Sequence, residues 1–420
     1  KEAIFSTWVQ RTSLGAQSII LGVNGSNAND DLILDFQAND TLRLLANATT
    51  ILVTTQVFRD IGWYHILVTI EVTSFSTRNN FGSSADIAWG RNATHLVSSS
   101  PSSAGSNTML GYMAQTALIT DKSFQQSDYS ITDFLDAFTF GTNGSQFAPK
   151  ADANIATIAG TGGNNSFSFN FATSDDLGND TSGSNDFTAT SMAAVNQTTN
   201  TPSLVYPSLT NIIPASESGQ GMSTLTNGNL SVAAQTGRFA RSAMIVNSTF
   251  SKLYYEVTFD TVDATYDYPR VGIALTSYTG NDLWAPGEVS GQGYGLRANT
   301  STIHLYMCAF DPATGKIWAG KDGTFFNSGD PAGGSGEVTT ITGDEWKIFV
   351  AGVAVSGSAY SVNFGQSAFA HTVPTGFASL ASSNLTAPEF QGIDYFKPVL
   401  YTGNGTAIGS GGKAVTGVGW

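Results

Sequence analysis

Hydrolysis of a glycosidic bond needs two carboxyl groups held about 5–10 Å apart across a cleft. Acids at alternate positions of a strand would supply such an array, because alternate side chains share one face. The eight glutamates, Glu2, Glu71, Glu217, Glu256, Glu288, Glu337, Glu345 and Glu389, each stand alone in the chain. The four histidines, His65, His95, His304 and His371, fall in no metal-ligand spacing. There is no Gly-x-Ser-x-Gly elbow and no phosphate-cradling glycine loop ahead of a helix. Gly409-Ser-Gly-Gly412 precedes a strand pattern and reads as a spacer. These absences predict a protein that is not an enzyme, with no catalytic and no cofactor-binding residues.

Two oxygen-rich patterns remain. Asp175, Asp176, Asp180 and Asp186 share one Gly/Asn/Ser segment, and Asp176, Asp180 and Asp186 are the candidate ligands for a Ca²⁺ ion. The spacing is not that of an EF-hand, and Asp and Asn also favour turns through local hydrogen bonds. The second pattern is Asn-x-Ser/Thr, an acceptor for N-linked glycan. It occurs at Asn24, Asn39, Asn47, Asn92, Asn143, Asn164, Asn179, Asn196, Asn229, Asn247, Asn299, Asn384 and Asn404. That is roughly twice what random placement of 28 Asn among 95 Ser and Thr would give. Asn-Gly and Asn-Asp turns ahead of Ser or Thr would also raise the count. Covalent N-glycans at several of these sites are therefore an expectation, Asn24, Asn143 and Asn404 foremost. Cys308, the single cysteine, sits in an apolar run and reads as a buried structural thiol.

The elements that must position these groups are strands. The 420 residues include 45 Gly and 47 aromatics, and only 12 % are charged, about half the usual share of roughly 25 %. This composition suits an all-β chain of short strands and small-residue turns. The net charge of −14, with no cluster of Lys or Arg, argues against nucleic acid or an anionic membrane as partner. No run approaches the ~18 apolar residues that span a bilayer. The chain opens on Lys1, and Ile4 to Val9 already reads as a strand rather than a signal peptide. A mature or partial product is expected.

Strand patterns fall at Ile4 to Val9, Ser18 to Gly22, Asp31 to Phe36, Thr41 to Leu45, Ile51 to Thr55 and Trp63 to Ile70. In the last, Tyr64, Ile66, Val68 and Ile70 share a face. A short helix is expected near Ser130 to Ala137, capped by Thr132 or Asp133, with sustained helical periodicity nowhere else. Residues 173–212 form a polar, turn-rich connector anchored by Leu204, Val205, Tyr206 and Leu209. Beyond it, Leu225 to Leu230, Leu253 to Phe259, Val271 to Leu275 and Gly293 to Leu296 read as strands. Cys308 to Phe310, the turn Asp311-Pro-Ala-Thr-Gly315, Lys316 to Lys321 and the tight turn Asp322-Gly323 make a β-hairpin with its connections.

The segment from Cys308 to Ala332 resembles the SPRY-like β-sandwich of large structural proteins from tailed phages, especially aquatic ones. Asn363 to Phe369 and Pro374 to Phe377 complete that resemblance. The first half resembles the laminin-G or concanavalin-like sandwich that precedes it in the same proteins. Phe5 to Arg11, Asp31 to Phe36, Leu52 to Asp60, Trp63 to Leu67, Gly141 to Gly144 and Asp176 to Ala189 carry this, in order. Two departures stand out. The family has a strand before the Phe5 segment, and a strand pair after Ile70, that this chain lacks. In the family, the segment from Asp394 opens a further β module.

The resulting expectation is two tandem antiparallel β-sandwich domains, jelly-roll-like, with a C-terminal strand extension. Residues 1–172 are laminin-G/concanavalin-like, 173–212 the connector, 213–396 SPRY-like and 397–420 the extension. The resemblance implies proteins that bind or build. The expected role is a self-assembling structural subunit of an extracellular or virion-associated fibre, with itself as partner. Val399, Leu400, Tyr401, Val415, Val418 and Trp420 would pair with a neighbouring copy, head to tail. The alternative is a carbohydrate-binding receptor-recognition module of a phage tail, with surface glycans as partners.

Overall fold

A computed structural model describes residues 2–24, 32–46, 49–59, 62–71, 94–98, 107–124, 128–136, 148–210, 224–232, 238–261, 270–277, 293–297, 305–352 and 359–384. The first half runs through β1 (Glu2–Arg11), β2 (Ser18–Asn24), β3 (Leu32–Phe36), β4 (Thr41–Ala46), β5 (Thr49–Val57), β6 (Trp63–Glu71), β7 (Thr94–Val97) and β8 (Gly111–Thr120). There follow α1 (Ile131–Phe134), the short pair β9 (Leu135–Asp136) and β10 (Ala148–Pro149), α2 (Asp152–Gly160) and β11 (Phe167–Phe169). One sheet has the order β11-β8-β1-β6 and the facing one β5-β4-β3-β2-β7. Every strand pair is antiparallel, as expected for an all-β chain.

The sequence of β1 explains the layering. It is buried on both faces, and each face serves a different core. Phe5 and Val9 pack with Leu21, Leu34, Phe36, Leu118 and Phe167 between the two sheets. Ile4 points the other way, into Ala117, Ile119, Phe134, Ile155 and Ala159, where α1 and α2 cover the sheet. Each such fully buried Leu, Ile or Phe contributes about 1.5–3 kcal/mol. On β6 the face of Tyr64, Ile66, Val68 and Ile70 does turn to the inter-sheet core.

The short helix expected near Ser130 to Ala137 is present as α1 with a different cap, and α2 was not expected. In α1 the N-cap is Ser130, not Thr132 or Asp133. Asp133, at the third helical position, reaches back to accept from Ser130 N at 2.7 Å and Ser130 Oγ at 2.9 Å. The nine residues of α2 lie where strands alone were expected. Only Ile155, Ile158 and Ala159 face inward, and the N-cap is Ala151 with no side-chain bond. Neither a wide apolar stripe nor a start signal marks this helix in the sequence.

The second half contains β12 (Leu209–Thr210), β13 (Leu225–Thr226), β14 (Ser231–Val232), β15 (Arg238–Asn247), β16 (Leu253–Thr261), β17 (Arg270–Leu275) and β18 (Gly293–Arg297). It continues through β19 (Leu305–Asp311), β20 (Lys316–Lys321), β21 (Thr324–Phe325), β22 (Thr339–Thr340), β23 (Glu345–Gly352) and β24 (Ala359–Asn363). The sheets are β12-β15-β23-β17-β18 and β13-β14-β24-β16-β19-β20-β21, with β22 pairing β20. Between them Val246, Tyr255, Val257, Ile273, Phe310, Trp346, Ile348 and Phe364 form one core. Leu225 to Leu230 is not a single strand. Asn227, Gly228 and Asn229 all have φ between 52° and 63°, which turns the chain between β13 and β14. Of Asn363 to Phe369 and Pro374 to Phe377, only Asn363 is in a strand; Phe364 turns into the inter-sheet core, and Phe369 and Phe377 pack on the outer face of β16, β19 and β20.

The connector ties the halves together. Asn200 Nδ2 donates to Gln10 Oε1 at 2.7 Å, and Thr199 N to Gln366 O at 3.0 Å. Val205 and Ser382 bond reciprocally. Of its expected anchors Tyr206 and Leu209 are buried, Leu204 and Val205 half-buried. Among the described residues, two hydrogen bonds join the halves directly. Tyr112 Oη donates to Gly228 O at 2.8 Å, and Asn229 Nδ2 to Thr12 O at 2.7 Å.

Candidate assembly edge, polar groove and glycan acceptors

Among the described residues, several titratable groups are engaged within the fold. His65 lies on β6 against Trp8, ring centroids 4.9 Å apart, and shares a 2.9 Å hydrogen bond with Ser6 Oγ. Burial pushes its imidazole down to about 4. Glu256, buried on β16, accepts from Tyr254 Oη at 2.8 Å, Ala370 N at 2.8 Å and His371 N at 2.9 Å. It thereby clamps the segment after β24 onto the sheet. Cys308 is buried as expected, and desolvation pushes its thiol up to about 12. His95 is half-buried on β7, and His304 lies outside the described residues.

The charged residues in the first-half motifs form two networks. Asp40 accepts from Arg11 Nη2 at 3.1 Å, Arg59 Nε at 2.8 Å and Gly15 N at 3.0 Å. Burial works to raise its pKa, yet these donors together hold it below the usual carboxylate value. Arg11 also stacks over Phe36 at 4.4 Å. Asp35, fully buried, takes Arg43 in a two-pronged grip at 3.0 and 2.6 Å, and Gln17 Nε2 at 2.5 Å.

The Ca²⁺ candidates do not converge as a ligand set. Asp180 Oδ1 accepts from Ser168 N, Ser182 N and Ser182 Oγ, and Oδ2 from Asn185 N. Asp186 Oδ1 accepts from Asp180 N at 2.9 Å, while Asp175 and Asp176 are exposed. Asp180 thus organises the loop through internal donors. Among the described residues no group of three His, Cys, Asp or Glu is placed to hold a metal.

At the end of its sheet, β5 is the exposed strand. Its sequence, Thr-Thr-Ile-Leu-Val-Thr-Thr-Gln-Val, has no charge, Gly or Pro. Leu52 is 52 % exposed, Val53 49 % and Val57 41 %. Edge strands are ordinarily blunted by charge or proline. Among the described residues its blunting devices are two register shifts against β4, between Thr41 and Arg43 and between Leu44 and Leu45. Val399, Leu400, Tyr401, Val415, Val418 and Trp420 lie outside the described residues.

A groove of about 640 Å³ runs between α2 and the segment 170–182. It is lined by Ala153, Ala156 and Gly160 and by the polar residues Asp152, Thr157, Thr161, Asn170, Thr181 and Ser182. The hydroxyls of Thr157, Thr161 and Thr181 donate to backbone carbonyls; Thr161 Oγ1 also accepts from Tyr129 Oη, while the lone pairs of Thr157 and Thr181 remain as acceptors. The lining suits a small hydroxyl-rich ligand but offers no aromatic ring for stacking on a sugar.

Of the sequons, Asn39, Asn164 and Asn196 are exposed and Asn179, Asn229, Asn247 and Asn384 half-buried. Asn24 ends β2, and Asn47, Asn92, Asn143, Asn299 and Asn404 lie outside the described residues. The excess therefore has a structural component. At Asn39 and at Asn247, Oδ1 accepts from the backbone N–H and the hydroxyl of the Thr two residues on, a local turn.

No protein-family model matches the chain, and no curated protein matches its sequence. Among solved structures, the SPRY domain of human HERC1 aligns over 35 % of this chain and 94 % of its own, at 10 % identity and a TM-score of 0.26. Domains LG4-5 of the mouse laminin alpha1 chain align over 91 % of this chain and 79 % of their own, at 9 % identity and a TM-score of 0.23.

Sequence reasoning located β5 but not its exposure, for which nine residues without a charge were the available signal. It missed the groove because it missed α2.

Proposed function

We propose that this chain is a non-enzymatic structural subunit of an extracellular or virion-associated fibre, polymerising head to tail by strand exchange. The observation that carries this reading is β5, an uncharged edge strand with three large apolar side chains in solvent. Such an edge accepts an extended segment, whose N–H and C=O groups complete the ladder. The donor is the segment 397–420 of a neighbouring copy, with Val399, Leu400, Tyr401, Val415, Val418 and Trp420 as anchors. The internal engagement of His65, Glu256, Asp40 and Asp180 supports a building role over a catalytic one.

Deletion of 397–420 and, separately, Val53→Lys should each give folded monomers with no filaments by electron microscopy. Filaments from the truncated chain would refute the donor, and filaments from Val53→Lys would refute the acceptor. A second reading, a carbohydrate-binding module of a phage tail, is favoured by one feature, the hydroxyl-lined groove beside α2. It predicts saturable binding of a soluble oligosaccharide that is lost in Asn170→Ala/Thr181→Val.

A further inference from the structure

The described sequons differ in what their amide nitrogen is doing. At Asn39, both hydrogen-bond partners of the side chain are donors, Thr41 N at 3.2 Å and Thr41 Oγ1 at 2.7 Å. Only an oxygen can accept them, so Oδ1 is turned inward and Nδ2 outward. Asn196 is held likewise, with Ala193 N donating to its Oδ1 at 2.7 Å. Asn164 is exposed and engaged only through its main-chain carbonyl, which accepts from Asn185 Nδ2 at 2.8 Å. Two others are reversed. Asn229 Nδ2 donates to Thr12 O at 2.7 Å in the contact between the two halves. Asn384 Nδ2 donates to Ser379 O at 2.8 Å.

We propose that Asn39, Asn164 and Asn196 carry covalent N-linked glycan and that Asn229 and Asn384 do not. In the reaction, Nδ2 forms a bond to the anomeric carbon of an oligosaccharide activated as a polyprenyl diphosphate. The bond from that carbon to the diphosphate oxygen breaks, the lipid diphosphate leaves with the electron pair, and Nδ2 loses one proton. At Asn39 and Asn196 the product keeps the inward bonds, because these use Oδ1. At Asn229 one N–H would be replaced by a bulky sugar inside the contact with Thr12, and the docking of the halves would be lost. Asn179 and Asn247, half-buried, are assigned to neither class.

The test is glycopeptide mass spectrometry on the chain purified from its native source. The peptides bearing Asn39, Asn164 and Asn196 should carry glycan, and those bearing Asn229 and Asn384 should be bare. The intact mass should exceed the 44.0 kDa of the polypeptide. Absence of glycan at any of the first three sites, or its presence at either of the last two, overturns the assignment. The triple variant Asn39→Gln/Asn164→Gln/Asn196→Gln should lose the corresponding mass while keeping its fold by circular dichroism. The fibre reading is judged by filaments and this one by mass, so failure of either is read separately.

Discussion

His65 shows how one side chain ties the fold to pH. Its imidazole titrates at about 4 in the fold and near 6.5 in an unfolded chain. Between those values the unfolded state binds more protons, so stability is complete above about 6.5 and falls as pH drops toward about 4. The loss is on the order of 3 kcal/mol. Asp40 acts in the same direction at more acid pH, since its depressed folded value makes its contribution vanish only as pH falls through that value. His65→Gln removes the upper component while retaining a partner for Ser6. Its urea midpoint should be nearly flat from pH 6.5 to 4.5, where the parent's declines. Equal slopes in the two proteins would show that His65 is not the group responsible.

At the scale of elements, the sequence was most legible where turn chemistry is sharp. Asp322 and Gly323 have φ of 49° and 87°, the left-handed pair that a two-residue hairpin requires, and β20 and β21 follow from them. β23 was equally legible but overlooked. Trp346 and Ile348 point inward while Glu345 is exposed and Lys347 half-buried. β15 was harder, because Arg238 and Arg241 interrupt its apolar run and its pairing with β23 slips between Arg241 and Ile245. The glycan acceptors were countable but not sortable, since the direction of an amide depends on distant partners such as Thr12. Close approach between strands is another property that sequence hides. A Cβ on Gly272 would lie 1.7 Å from Tyr294 O on β18. Gly272→Ala should therefore force β17 and β18 apart and cost about 1–3 kcal/mol, read as a lower denaturant midpoint. A midpoint within error of the parent would show that the strands part freely.

Across the whole molecule, the described residues join the two halves through a few hydrogen bonds, and the Tyr112 side chain also packs against the second core. Tyr112 and Asn229 reach across directly, and Asn200 and Thr199 bind the connector to both sides. Calorimetry of Tyr112→Phe/Asn229→Ala should resolve two unfolding transitions where the parent shows more strongly coupled melting. A double variant that melts as the parent does would place the coupling in the connector alone. Among the described residues no helix is long and apolar enough to cross a membrane.

The double-sided burial of β1 also bears on how the chain is made. Its partners are residues 63–71 and 111–120, so the pairing closes loops of about 60 and 110 residues. At ribosomal speeds of about 5–20 residues per second, β1 waits roughly 5–20 s for β8 to emerge. In that interval the inter-sheet face can already meet Leu21, Leu34, Phe36 and Ile66, but Ile4 still lacks Ala117, Ile119, Phe134, Ile155 and Ala159. The pairing of nascent β1 with β8, about 110 residues away, is thus a long-range contact of the kind that forms slowly.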